Sequence, residues 1–240
     1  MNGMGAKLDD YRVVAPRGSV DFMLRIADRL RGRRIAQVSV SRYGGAAAEI
    51  LKRIVPILND LGIETGWEVM IGSADFEAIV TAVSKGLAGV EQVVTEAMLA
   101  RLHATCASNA RRLPLDADLV IVHDAAALLL VEGRPPGGRW LWRYHGDLSS
   151  PQPQLWNALR PFVDKYDAAV FSTPRFAAPL STWISRTSRP GTSSTVFHVG
   201  AWILNFHGRR GLSSISPRPT PRSLRTTTVS PRTTAGEAAT

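Results

Sequence analysis

The chain holds one cysteine, Cys106, among 240 residues. A lone thiol excludes an intramolecular disulfide and the cysteine-rich zinc patterns, and it suits a reducing compartment. Long apolar runs are missing as well. The longest uninterrupted one, Ala125 to Val131, falls far short of the roughly 20 residues that cross a bilayer. Met1 to Pro16 carries Lys7, Asp9, Asp10 and Arg12, which leaves no apolar core for a secretion signal. The expectation is a soluble, cytoplasmic chain without a membrane partner. There is no Gly-x-Ser-x-Gly nucleophile elbow, no Walker loop, and no metal-ligand spacing among the five histidines. Cys106 lies in a helical pattern and is expected to be buried, not nucleophilic.

Acidic residues are unevenly absent. Between Asp167 and Glu237 there is no carboxylate, and no lysine follows Lys165. Arg186, Arg189, Arg209, Arg210, Arg218, Arg222, Arg225 and Arg232 set against Glu237 give residues 186–240 a charge of +7, out of +9 for the whole chain. The preceding 185 residues are nearly neutral. The basic balance therefore argues for nucleic acid or another acidic partner only through the last segment. That segment reads either as a disordered basic tail or as the product of a reading frame lost near residue 180.

What remains is regularly patterned. Ser19 is positioned to cap a helix carrying Val20, Met23, Leu24, Ala27 and Leu30, which Gly32 ends. Ile35 to Val40 reads as a buried strand. The loop Ser41 to Gly45 feeds a second helix, interrupted by Pro56 and stopped by Gly62. Thr65 to Ile71 is a second strand, followed by helices over Asp75 to Leu87 and Gln92 to Arg112. Asp118 to Val122 and Arg139 to Tyr144 are strands, Ser150 with Pro151 opens a helix, and Ala168 to Phe171 is a fifth strand. Continuous apolar strands alternating with helices predict an α/β fold, a Rossmann-like parallel sheet with helices on both faces. The boundaries are an N-terminal extension 1–19, a Rossmann-like domain 20–180, and a poorly structured tail 181–240.

Ligands of such sheets bind beyond the carboxyl ends of the strands, which singles out three groups. Tyr43, Gly44 and Gly45 lie between a strand and a helix N-terminus, where backbone donors attract phosphate or sugar hydroxyls; a plain tight turn fits equally. His123 and Asp124 close the third strand as a base or hydroxyl-binding pair, or as a simple loop cap. Arg143, His145 and Asp147 close the fourth, with Arg143 and His145 on one side by the period of two. Trp67, Trp140, Trp142 and Trp156 are expected in the core or its walls.

Taken together, LDDYR at Leu8, SVSRYGGAAAEIL at Ser39, VPILNDLGIE at Val55, LDADLVIVHD at Leu115, WRYHGDLSSPQP at Trp142 and LRPFVDKYDAAVF at Leu159 resemble the N-terminal half of the glycosyltransferring trehalose synthases. The resemblance covers about residues 7 to 180. It implies one of two Rossmann-like domains of a GT-B architecture, with retaining glucosyl transfer from a nucleoside-diphosphate glucose to glucose and no cofactor or essential metal. On that footing His145 stands beside the transferring glucosyl, His123 and Asp124 bind acceptor hydroxyls, and Gly44-Gly45 approaches the sugar or diphosphate. The partners implied are sugar and nucleotide-sugar substrates, and a homodimer is left open.

Three departures bear on this. Ala46 stands where the family has a third loop glycine, and Ala125-Ala126-Ala127 where it has Pro-Gln-Pro. The family's C-terminal donor-binding groups have no candidates after residue 180. An incomplete enzyme, weakly active or inactive, is one expectation; a noncatalytic sugar- or nucleotide-binding domain with a nucleic-acid-contacting tail is the alternative.

Overall fold

The computed structural model describes residues 7–180 and 195–198. Six strands form one parallel sheet in the order β2-β1-β3-β4-β5-β6. They are β1 (Arg34–Ser39), β2 (Glu64–Val69), β3 (Leu119–His123), β4 (Arg139–Arg143), β5 (Ala168–Phe171) and β6 (Thr195–His198). Between them run α1 (Ser19–Leu30), α2 (Gly45–Asp60), α3 (Phe76–Leu87), α4 (Glu96–Arg112) and α5 (Pro153–Val163). The Rossmann-like expectation holds. Strand order reverses between β1 and β3, because the chain first builds outward to β2 and then returns to β1's other edge.

Strand parity sorts the side chains into two cores. Ala36, Val38, Val120, Val122, Trp140, Trp142, Ala169 and Phe171 face α3, α4 and α5. Ile35, Leu119, Ile121, Leu141, Ala168 and Val170 face the other way, onto Val20, Ala27, Ile57 and Leu61 of the α1–α2 layer. Both faces being covered, the central strand β3 is buried along its whole length, whereas edge strand β2 carries exposed polar positions. The apolar run Ala125 to Val131 enters the first core. Leu128–Gly133 is a short 3-10 turn, and Leu128 and Leu130 are fully buried.

Several local expectations are corrected. Gly18, in the left-handed region at φ 81°, is the cap of α1, so Ser19 is its first residue. Gln152 caps α5 and Pro153 begins it, which displaces Ser150 and Pro151 into the preceding loop. Proline's fixed φ suits either start, and Gln152 is retained by reciprocal hydrogen bonds with Gln92, whose N–H it accepts and whose carbonyl it donates to. Those bonds hold Gln92 in a loop, and α4 starts only at Glu96, where the Thr95 hydroxyl accepts from Met98 N at 3.2 Å. Residues 1–19 are not merely an extension: Leu8, in a 3-10 turn Leu8–Val13, is buried against the α1–α2 core. Strand β6 pairs in parallel with β5 inside the segment expected to lack structure; the remainder of 181–240 lies outside the described residues.

Trp142 is fully buried, stacked on Tyr144 with ring centroids 5.3 Å apart and edge-on to Phe171 at 5.8 Å. Its indole N–H donates to the Asp124 carbonyl at 3.1 Å. Packing and polar anchoring therefore coincide in one residue of β4. Trp142→Ala is expected to lower stability by about 3–5 kcal/mol, read from denaturant unfolding, whereas Trp142→Phe keeps most of the volume and loses less.

Candidate active site at the sheet's switch point

The polar groups gather where the strand order reverses, the crevice position that binds ligands in open α/β sheets. Two of its walls come from β1 and β3, and the third from the end of β4.

On the β1 side, Gly44 and Gly45 have φ of 68° and 73°, a left-handed conformation that other L-residues resist. Ala46 follows within α2 and is exposed, so the residue replacing a third glycine sits in ordinary helix. The loop is braced from below. The Trp67 indole donates to Ser39 Oγ at 2.8 Å, and Ser39 Oγ donates to the Ser41 carbonyl at 2.9 Å. Arg42 lies over the Trp67 ring at 4.6 Å and donates to the Trp67 carbonyl at 2.9 Å. Trp67 is therefore a loop support and not simply core. Tyr43 projects from this loop with its side chain 78% exposed.

On the β3 side, His123 is the strand's last residue and is 1% exposed. Its Nε2 lies 2.8 Å from Gln37 Oε1, and its Nδ1 lies 3.0 Å from His145 Nε2. The two imidazoles are nearly parallel, 10° apart, with centroids separated by 5.3 Å. Burial pushes both imidazoles down, His145 to about 4, with the Arg143 charge adding to the effect. Both rings are neutral at physiological pH. A neutral imidazole holds one proton, so a His–His hydrogen bond needs one ring to donate and the other to accept.

Arg143 pairs with His123 across the β3–β4 register. Its guanidinium is half-buried and makes no ion pair among the described residues, and burial lowers its pKa. Asp124 is the one described non-glycine residue with positive φ, 68°. Its carboxylate, pushed up by burial, has a single long contact, a 3.5 Å approach from Val40 N. An unpaired cation, a poorly satisfied carboxylate and strained backbone together make this crevice the candidate ligand site.

Of the residues singled out from sequence, His123, Arg143 and His145 come together here, Asp124 follows His123 with its carboxylate near Val40 N and Tyr144, and Tyr43, Gly44 and Gly45 form the loop after β1. Asp147 also satisfies its own turn: its Oδ1 accepts from Ser149 N at 2.8 Å, and hydrogen bonds from the Ser149 side chain and then its N–H hold the carboxyl below the usual carboxylate range. Ala125, Ala126 and Ala127 are fully buried. Gln37 was not singled out. Its signal is a buried amide in the middle of a largely apolar strand, on the same parity as His123 and Arg143. Gly146 also matters, since a Cβ there would come within 2.6 Å of the Tyr144 hydroxyl, which packs under the His145 loop. Among the described residues no cluster of histidine, cysteine and carboxylate could hold a metal. Cys106 is buried in α4 with its thiol pushed up to about 12, as its place in a core requires.

Fold and site define an α/β domain with a Rossmann-like parallel sheet and a buried histidine pair at its switch point. Residues 37–178 match the family model described as trehalose synthase, N-terminal domain, and the chain belongs to that family. The chain is 35% identical over 175 residues to a trehalose synthase of Pyrococcus horikoshii, an alignment covering 72% of this chain and 42% of the relative. A trehalose synthase of Thermococcus litoralis is 32% identical over 171 residues, 70% of this chain and 42% of the relative. One from Rubrobacter xylanophilus is 32% identical over 178 residues, 72% and 43% respectively. The chain thus spans less than half the length of these relatives. No helix among the described residues is long and apolar enough to cross a membrane.

Two outcomes follow from the buried ionisable groups. Imidazoles depressed in the folded state bind fewer protons than in the unfolded chain, so their contribution to stability falls as pH drops from about 6.5 towards 4 and then levels off. The ring-proton shift of His145, followed by NMR, should have its midpoint near 4 and not near 6.5. Asp124 acts in the opposite sense, costing stability above its raised pKa. Asp124→Asn, which removes the buried charge and tolerates positive φ, should raise the melting temperature at pH 7 and flatten the pH dependence Asp124 contributes.

Proposed function

We propose that this crevice binds the acceptor glucose of a glucosyl transfer from a nucleoside-diphosphate glucose, the retaining reaction that forms α,α-1,1-linked trehalose. The observation that carries the reading is the pair of neutral imidazoles beside the unpaired Arg143. In such a transfer the bond between the glucosyl anomeric carbon and the diphosphate breaks while one to the acceptor oxygen forms, and positive charge builds on the sugar ring. A protonated histidine there would oppose that charge. A neutral His145 can orient a sugar hydroxyl without adding charge, and Asp124 offers an anionic acceptor close by.

Roles divide by position. Asp124 and His145 hold hydroxyls of the sugar, Tyr43 borders the entrance, and the backbone of Gly44-Gly45 at the start of α2 faces the more anionic end of the substrates. Arg143 supplies the cation nearest the crevice, with a half-buried guanidinium that an anionic leaving group would satisfy better than water. On this reading the chain is one half of a GT-B arrangement, and most donor contacts belong to a second Rossmann-like domain. Turnover therefore needs a second wall that the described residues do not include. The reading concerns binding of the acceptor first and transfer second.

Titration of the 240-residue chain with glucose, followed by NMR, tests this reading. Saturable shifts are expected at Gly44, Gly45, Asp124 and His145, and His145→Ala should weaken binding about tenfold, the worth of one well-made hydrogen bond. The same chain should be assayed for trehalose formation with nucleoside-diphosphate glucose and glucose. Absence of any saturable response, or a response at other residues that His145→Ala leaves intact, overturns the assignment.

A further inference from the structure

The histidine pair has a third member on which its chemistry depends. Gln37 is 3% exposed, lies on β1, and touches His123 from the side opposite His145. Parity puts Gln37, His123 and Arg143 on the sheet face covered by α1 and α2. Parallel registers align Gln37 with Ile121 on β3, two residues before His123, and His123 with Arg143 on β4. The amide is thus held at a fixed height relative to the ring by the sheet itself.

We propose that Gln37 sets the direction of a three-member hydrogen-bond chain and so fixes His145 as the tautomer that carries its proton on Nε2 and a bare lone pair on Nδ1. The steps follow from donor and acceptor counting. Gln37 presents Oε1, which only accepts, so His123 Nε2 must carry the proton that it donates there at 2.8 Å. With one proton per neutral ring, His123 Nδ1 is then an acceptor. His145 Nε2, 3.0 Å away, must donate to it. That leaves His145 Nδ1 unprotonated, and it has no partner among the described residues.

The groups around the chain agree with a single neutral direction. Arg143 on β4 is the charge that faces His145, and a second positive charge beside it is disfavoured. Asp124 follows His123 on β3, Tyr144 and Asp147 flank His145, and none of their side chains makes a hydrogen bond to either ring that would set the tautomer independently. Gln37 is therefore a positioning residue, acting on His145 through His123. It gives the crevice a nitrogen that accepts from a hydroxyl, where the opposite tautomer would offer a donor. The use of that nitrogen rests on the glucose-binding reading above; the tautomer does not.

The test reads ring protonation directly, by long-range nitrogen–proton correlation NMR on the full chain at pH 7 without ligand. His145 is expected as the Nε2-protonated form alone. Gln37→Met, similar in length and apolar, should release the constraint, so that the Nδ1-protonated form of His145 becomes populated while circular dichroism and melting remain those of a folded chain. Gln37→Glu should charge His123, make its Nδ1 a donor, and reverse His145 to the Nδ1-protonated form. A wild-type His145 protonated on Nδ1 overturns the proposal, as does an unchanged tautomer in a folded Gln37→Met chain. If Gln37→Met fails to fold, the wild type and Gln37→Glu decide. With glucose added, Kd should rise several-fold in Gln37→Met. A fixed tautomer with no glucose binding would defeat the functional reading alone; glucose binding with the opposite tautomer would defeat this one alone.

Discussion

A buried imidazole needs a partner for each nitrogen and tolerates no charge, and the site is arranged around meeting those two conditions for His123. One partner, Gln37, comes from β1, and the other, His145, comes from the turn after β4. The three elements are adjacent only because β3 inserts between β1 and β4 in the sheet. Moving any strand by one residue would turn its side chain to the opposite face, so sheet register and hydrogen-bond satisfaction specify each other. Loss of either partner leaves a polar nitrogen in a layer built from Ile121, Leu141 and Val170, which costs more than an ordinary surface hydrogen bond contributes.

The glycine loop obeys a second, related constraint. Left-handed backbone at Gly44 and Gly45 gives an adaptable turn, and adaptability is unhelpful in a binding edge. Trp67 removes it. By accepting the Trp67 indole N–H and donating to Ser41, Ser39 ties β2, β1 and the loop into one unit, with Arg42 clamped over the ring. Tyr43 is then left exposed on a backbone that is held from below. The cost of two glycines in the unfolded chain is offset by a few specific contacts and not by bulk burial.

Much of the sheet was readable because its inner strands, β3 above all, are buried on both faces, which is the pattern a covered parallel sheet imposes. His123, Asp124, Arg143 and His145 were readable as well, since strand ends in such sheets point into the crevice. Helix starts were less legible. Ser19 and Ser150 have the right chemistry for caps, yet Gly18 and the Gln152–Gln92 contact decided the outcome through backbone conformation and a long-range pairing that no local pattern encodes. The turn that Asp147 makes was hidden for the same kind of reason, because a carboxylate two residues before a backbone N–H can bond it in a way no composition pattern shows. Gln37 shows the limit most clearly: one amide in IAQVSV looks like noise until the register brings it to His123.

Electrostatics gives the arrangement its direction. Arg143, half-buried and unpaired, raises the potential around the histidines, and a cation there would normally call for a carboxylate. Asp124 could have supplied one, yet its strained backbone and its long contact with Val40 leave it beside β1, where no described side chain pairs it with Arg143. Opposite charges kept apart in a partly desolvated crevice are each poorly satisfied without ligand. Pairing them directly would stabilise the fold and close the crevice. Under the proposed reading, a polar molecule that meets these groups relieves the cost each bears alone. Stability forgone by leaving such charges unpaired is available as binding energy to a polar ligand that satisfies them.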